Sequence, residues 1–180
     1  MGPSIPDIPV ALNSVVRNTS GMDDLTQSHR TAPTQSSTRR GRRIGEVARH
    51  VGRWALGAAL LGAGTGHLTT MRQEFQAQVP TWVPLDPDFV VVASGVVELG
   101  LGASLILAPA RFRPAVGGVA AAFFVAIFPG NISQYVTGTA AFGLDTDRDR
   151  FIRLFFQPVL VVWALWSTGA WRAWRARSRR

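Results

Sequence analysis

A chain of 180 residues, 47% hydrophobic and only 17% charged, has the length of one domain and the composition of a small polytopic membrane protein. The absence of cysteine excludes thiolate nucleophiles, Fe–S clusters and disulfides. The net charge of +8 comes entirely from arginines among the basic residues; they border apolar runs, which is a topology signal and argues against nucleic acid as a partner.

Residues 1–45 are expected to form a disordered, basic-ended tail, rich in Ser, Thr, Pro, Asn and Gln, with Arg39, Arg40, Arg42, Arg43 and Arg49 forming a basic collar. The stretch Ile8–Val16 is too short and interrupted for a signal-peptide core, and Met22 is an alternative start. Four membrane spans are predicted within a bundle over residues 46–172, at about 47–70, 88–108, 114–136 and 150–171. In the first, Arg53 is expected to snorkel toward the headgroups. The third opens on Pro114, which suits a first helical turn. A basic tail, residues 173–180, closes the chain. The basic collar, the Arg111/Arg113 turn and the C-terminal arginines fall on one side, so the expected topology has both termini cytoplasmic in the cell membrane. The fold class expected is therefore an all-α membrane protein, a four-transmembrane-helix bundle whose first partner is the lipid bilayer.

Glu98 is the only charge in the apolar run Phe89–Leu107. An ionised carboxylate at mid-bilayer costs roughly 2.5–3.5 kcal/mol even on the lenient insertion scale, so this residue needs a partner, a cavity or a task. Helical rise puts it about 13 Å below the outer boundary, with Gln157 about 10 Å down. His67, Asn131 and Arg153 lie nearer the outer ends of the other spans. These five are the candidate ligand-binding or proton-relay residues, with Glu98 expected to be either protonated or partnered by Arg153. Ser94, Gly95, Glu98 and Gly102 share one stripe, as do Arg53, Gly57, Leu60, Gly64, His67 and Met71. Gly62 and Gly66 form a small-xxx-small pair and, with Ser94, Gly95 and Gly102, are the expected helix-packing positions. Pro129 beside Asn131 region and Pro158 beside Gln157 predict kinks, with local unwinding around a cavity. Trp54, Trp82, Trp163, Trp166, Trp171 and Trp174 read as interfacial anchors.

The order of several short motifs resembles the DoxX family of small four-span membrane proteins. They are Gly66 and His67 followed by Phe75; the run Val79 to Pro84; Ser94 to Glu98 with Gly100 and Gly102; Pro109 before Arg111; Phe128 to Ile132; and Arg153 with Phe156, Gln157 and Pro158. The resemblance spans Val47 to Trp166. It implies a four-helix bundle at the bacterial or archaeal cytoplasmic membrane; some members of that family are linked to quinone-coupled or other membrane oxidoreductase systems and many have no assigned activity, so membrane or peripheral oxidoreductase subunits are candidate partners.

Three functions stay open. One is an accessory subunit binding a small amphipathic molecule, with quinone as a candidate because carboxyl, imidazole and amide groups can hydrogen-bond its carbonyls. The others are a structural or assembly protein without a ligand, and a small-solute permease acting as a homo-oligomer. No nucleotide loop, metal-ligand cluster or serine-nucleophile motif occurs, so catalysis by this chain alone is not expected and no cofactor is assigned.

Overall fold

The computed structural model describes Gly2 and residues 34–179. The expected tail up to residue 33, Met22 included, lies outside the described residues. The chain divides into two compact units, Met1–Gly45 and Glu46–Arg180, and the second holds every residue of the cavity described in the next section.

Among the described residues six helices follow in order: α1 Thr34–Leu68, α2 Arg72–Gln76, α3 Pro87–Leu107, α4 Arg113–Thr137, α5 Asp147–Thr168 and α6 Ala170–Arg177. Residues 34–45, expected within a disordered tail, are thus helical; arginine is a good helix former, and the collar supplies several. Helix starts follow side-chain chemistry. Asp86 accepts a hydrogen bond from Phe89 N at 3.1 Å and Pro87 sets the first turn of α3. Thr146 accepts from Asp149 N at 3.2 Å, which starts α5 three residues before the apolar pattern begins. Gly169, at φ 76°, takes the left-handed position that ends α5 and turns the chain into α6, so the expected basic tail is largely helical.

Among the described residues three helices are long and apolar enough to cross a membrane: α3, α4 and α5. The expected fourth, α1, falls short of that mark. Gly52, Gly57, Gly62, Gly64 and Gly66 contribute almost no hydropathy, and Arg53 and His67 subtract from it. The core is built from Leu56 and Leu60 of α1, Leu101 and Leu105 of α3, Ala120, Ala121 and Phe124 of α4, and Ala164 of α5.

The close approach of α1 and α3 rests on glycines spaced seven apart. A Cβ added at Gly57 would stand 2.9 Å from Gly102 O, and one at Gly102 would stand 2.8 Å from Gly57 O. At the other end, a Cβ on Gly64 would stand 2.7 Å from Gly95 O, and one on Gly95 would stand 2.7 Å from His67 Cβ. Gly95 and Gly102 therefore pack as expected. Gly62 and Gly66 do not: a Cβ at Gly62 would meet nothing within 4 Å, and one at Gly66 would meet only Met71. The packing stripe is Gly57 and Gly64, one position-set around the helix.

Arg53 does not snorkel. It is 3% exposed and donates to the carbonyls of Leu105 and, at 3.2 Å, Ile106. It thus satisfies carbonyls that the C-terminus of α3 leaves free and complements the negative end of that helix. Trp163 Nε1 donates to Gly52 O at 2.9 Å, tying α5 to α1, while the other five tryptophans are exposed.

Candidate functional site

Helices α1, α3, α4 and α5 and the α1–α3 connection enclose a cavity of about 620 Å³. That volume is within the usual range for small-molecule sites. All five polar residues selected from the sequence line it: His67, Glu98, Asn131, Arg153 and Gln157. Leu56, Leu60, Phe124, Ile127 and Leu160 supply an apolar wall.

The five do not form one network. His67 Nε2 lies 3.5 Å from Glu98 Oε2, and both side chains are nearly inaccessible. The other ring nitrogen, Nδ1, faces Ser94 Oγ at 2.9 Å and Val91 O at 3.2 Å; Ser94 itself donates to Val91 O at 2.9 Å. With Ser94 Oγ–H committed to Val91, Nδ1 is positioned to carry a proton donated toward these oxygens. Ser94, expected only to let helices approach, thus orients the imidazole. Glu98 Oε2 is buried and accepts no hydrogen bond from a described residue.

Asn131 and Gln157 form the second group. Asn131 Nδ2 donates to Gln157 Oε1 at 3.1 Å, and Gln157 Nε2 donates to Phe124 O at 2.8 Å. Phe124 O neighbours the Val125 carbonyl, which has no helical donor because Pro129 lacks an N–H. Even so, α4 and α5 run unbroken through Pro129 and Pro158. The expected local unwinding is absent, and side-chain amides beside the prolines hold the helices together.

Arg153 is not the partner of Glu98. Its guanidinium lies 5.2 Å from the centre of the Phe142 ring, it makes no ion pair among the described residues, and its buried Nε has no hydrogen-bond partner. The sequence offered Arg153 because charge attracts charge, but α1 brings His67 to the carboxylate first. Phe142 has φ 58°, the one positive value outside glycine among the described residues. A bulky side chain there stores backbone strain, held by contacts on both sides. Its ring meets Phe75 edge-on at 4.6 Å, and Phe75 in turn lies 3.5 Å from the His67 ring. Phe142 N donates to Glu74 Oε2 at 3.1 Å.

The connection 69–86 carries α2 over the cavity. Arg72 grips Asp88 with two N–H groups, Nε reaching Oδ1 at 2.5 Å, and Gln76 Nε2 donates to the same oxygen at 2.6 Å. The hydrogen bond to Asp88 raises the Arg72 pKa above the ordinary arginine value. Gln78 Nε2 donates to Gln134 Oε1 at 2.6 Å, and Gln134 is 1% exposed. Sequence reading missed Gln134, although its spacing of three from Asn131 was a usable signal. The cavity also reaches exposed lining residues on apolar helix faces, Ala59 and Gly62 of α1, Ala126 of α4 and Phe156 of α5. It is open along the helices as well as beside Trp82 in the loop.

Fold and site together define an all-helical protein with three membrane-length apolar helices and, between helices, a largely apolar cavity that the five polar side chains enter. The chain belongs to the family described as a domain of unknown function, DUF8561, which matches residues 56–168. The resemblance to DoxX is thereby corrected: the family that matches is a different one, and no DoxX match is found. Its motifs were short groupings of Gly, Pro, His, Glu and Asn, which helix packing and buried polar contacts can place in unrelated bundles. No curated protein and no solved structure matches the chain.

Proposed function

We propose that this is a four-span membrane protein, both termini cytoplasmic, that binds a small amphipathic molecule in the cavity between its helices. The carrying observation is that His67, Glu98, Asn131, Arg153 and Gln157, from four helices, line one cavity of about 620 Å³. Glu98 and Arg153 retain unbonded polar atoms there that a ligand can meet, as do Arg150 and Ser167 outside the cavity. Asn131 and Gln157, bonded to each other, favour the structural reading for that half of the cluster.

The fourth span rests on contact with α3. Arg53 reaches Leu105 O and His67 reaches Val91 O, so α1 follows α3 over fourteen residues, or about 21 Å at helical rise. If α3 is in hydrocarbon, this part of α1 shares its depth. Reporter fusions before residue 46, within residues 77–85 and after residue 177 test the topology; an extracellular 77–85 loop with the other two sites cytoplasmic is expected, and a site before residue 46 on the same side as that loop would refute the fourth span.

A quinone is the neutral candidate ligand, because its carbonyls can accept from the N–H groups that Asn131 and Gln157 do not spend on each other and on Phe124 O. The oxidoreductase association loses the resemblance that carried it and is not part of this reading. Mass spectrometry of the full chain extracted in mild detergent should find a co-purifying amphiphile that is displaced in Gly62→Leu, whose new side chain has open space at the cavity wall. No bound molecule, together with no thermal shift on adding a long-chain quinone or alkyl amphiphile, would refute the proposal.

A further inference from the structure

Three ionisable residues line the cavity, Glu98, His67 and Arg153. His67 and Glu98 face each other at 3.5 Å. With one proton between them, on either group, the pair has no net charge. Arg153 is then left as one positive charge facing the cavity with no carboxylate within ion-pair distance among the described residues. The nearby acids are otherwise engaged: Asp147 with Arg150 at 2.7 Å, Asp149 with Thr146 at 2.6 Å, and Glu74 with Phe142 N at 3.1 Å. Phe142 offers the guanidinium only a ring face, and its Nε is buried without an acceptor. An arginine in partly apolar surroundings is costly without an anion or several acceptors.

From Arg153 the cavity continues past Gln157 to Leu160, along the same helix, and across to Leu56, Leu60 and Phe124. Charge sits at one end and hydrocarbon at the other. We propose that the ligand of this cavity is an anionic amphiphile, its carboxylate or phosphate paired with Arg153 and its apolar chain lying along Leu60, Phe124 and Leu160. This rests on the binding role proposed above and adds the sign of the headgroup. The guanidinium can take either group through paired N–H donors, so the headgroup chemistry is shared between a fatty acid and a phosphorylated lipid. The exposed lining at Gly62, Ala126 and Phe156 gives such a molecule a route from the bilayer side.

The test uses the full chain in nanodiscs of zwitterionic lipid and three probes of one chain length: dodecanoate, dodecyl phosphate and dodecanol. Bound fractions are read by native mass spectrometry. The anions should bind on the order of tenfold or more tightly than the alcohol, the scale of a hydrogen bond to a charged partner. Arg153→Gln should bring the three together by removing the advantage of the anions over dodecanol, and Arg153→Lys should keep part of the preference. Preference between dodecanoate and dodecyl phosphate identifies the source of the anion. Equal binding of all three to the wild-type protein overturns the headgroup assignment and leaves the amphiphile reading standing. Binding of none overturns both. Should Arg153→Gln fail to fold, the wild-type anion-to-alcohol ratio and Arg153→Lys still decide.

Discussion

Gly62 and Gly64 are two residues apart on α1, and the same substitution should have opposite consequences at each. A methyl added at Gly62 would meet nothing within 4 Å. At Gly64 it would stand 2.7 Å from Gly95 O, 3.0 Å from Leu99 Cγ and 3.1 Å from Glu98 Cβ. The closest of these is backbone, which can yield only if α1 and α3 separate. Replacing glycine by alanine within a helix gains about 0.8–1 kcal/mol in propensity, and that gain is common to both sites. The difference between the variants therefore isolates the packing contribution, where overfilling a close contact costs about 1–3 kcal/mol. Gly62→Ala should be as stable as the parent chain or up to about 1 kcal/mol more stable. Gly64→Ala should lie about 1–3 kcal/mol below Gly62→Ala. Reversible unfolding of the full chain in mixed micelles, titrated with SDS and followed by helical circular dichroism, measures both. Agreement of the two variants within about 0.5 kcal/mol would refute the glycine ladder between α1 and α3.

Other perturbations separate the polar residues. Arg53→Met should destabilise the fold by about 1–3 kcal/mol in the same unfolding titration, because it strips the donors from Leu105 O and Ile106 O while keeping most of the side-chain volume. Glu98→Gln should leave folded abundance in membranes unchanged, since the buried Oε2 accepts no hydrogen bond that an amide would forfeit, and a large drop in abundance would contradict that account. Arg72→Gln should speed amide hydrogen exchange across residues 72–79 with little change in α3 to α5, because it cuts the grip of α2 on Asp88. Uniformly faster exchange throughout the protein would show that the pair supports the whole fold instead.

The sequence made the long helices readable because α3 and α4 are nearly continuous apolar runs between turns. It made the site readable because a polar group in such a run stands out and helical rise gives its depth. His67, Glu98, Asn131, Arg153 and Gln157 were found in that way, and all reach one cavity. Pairing was less readable, since it depends on the rotation of each helix about its axis. Glu98 met His67, with Ser94 behind the imidazole, and Arg153 was left to Phe142. The glycine positions show the same limit: Gly62 and Gly66 satisfy a spacing rule, but Gly57 and Gly64 face the neighbour. Arg53 reads as a charge seeking water until α3 is seen to end beside it. The α5 start was hidden because Thr146 and Asp149 act through hydrogen bonds, before any apolar period begins.

The contact of Arg53 with the end of α3 has a consequence for how the chain is assembled. On the four-span reading, α1 is made first and is the least apolar of the long helices, and its polar side chains Arg53 and His67 both find their acceptors on α3. A nascent α1 lacks those acceptors until residues 91–106 have been synthesised. Insertion of α1 is then coupled to that of a later segment, the two entering the bilayer stably as a helical hairpin. Shortening the chain before Leu105 should leave α1 weakly retained in membranes, and restoring α3 should secure it.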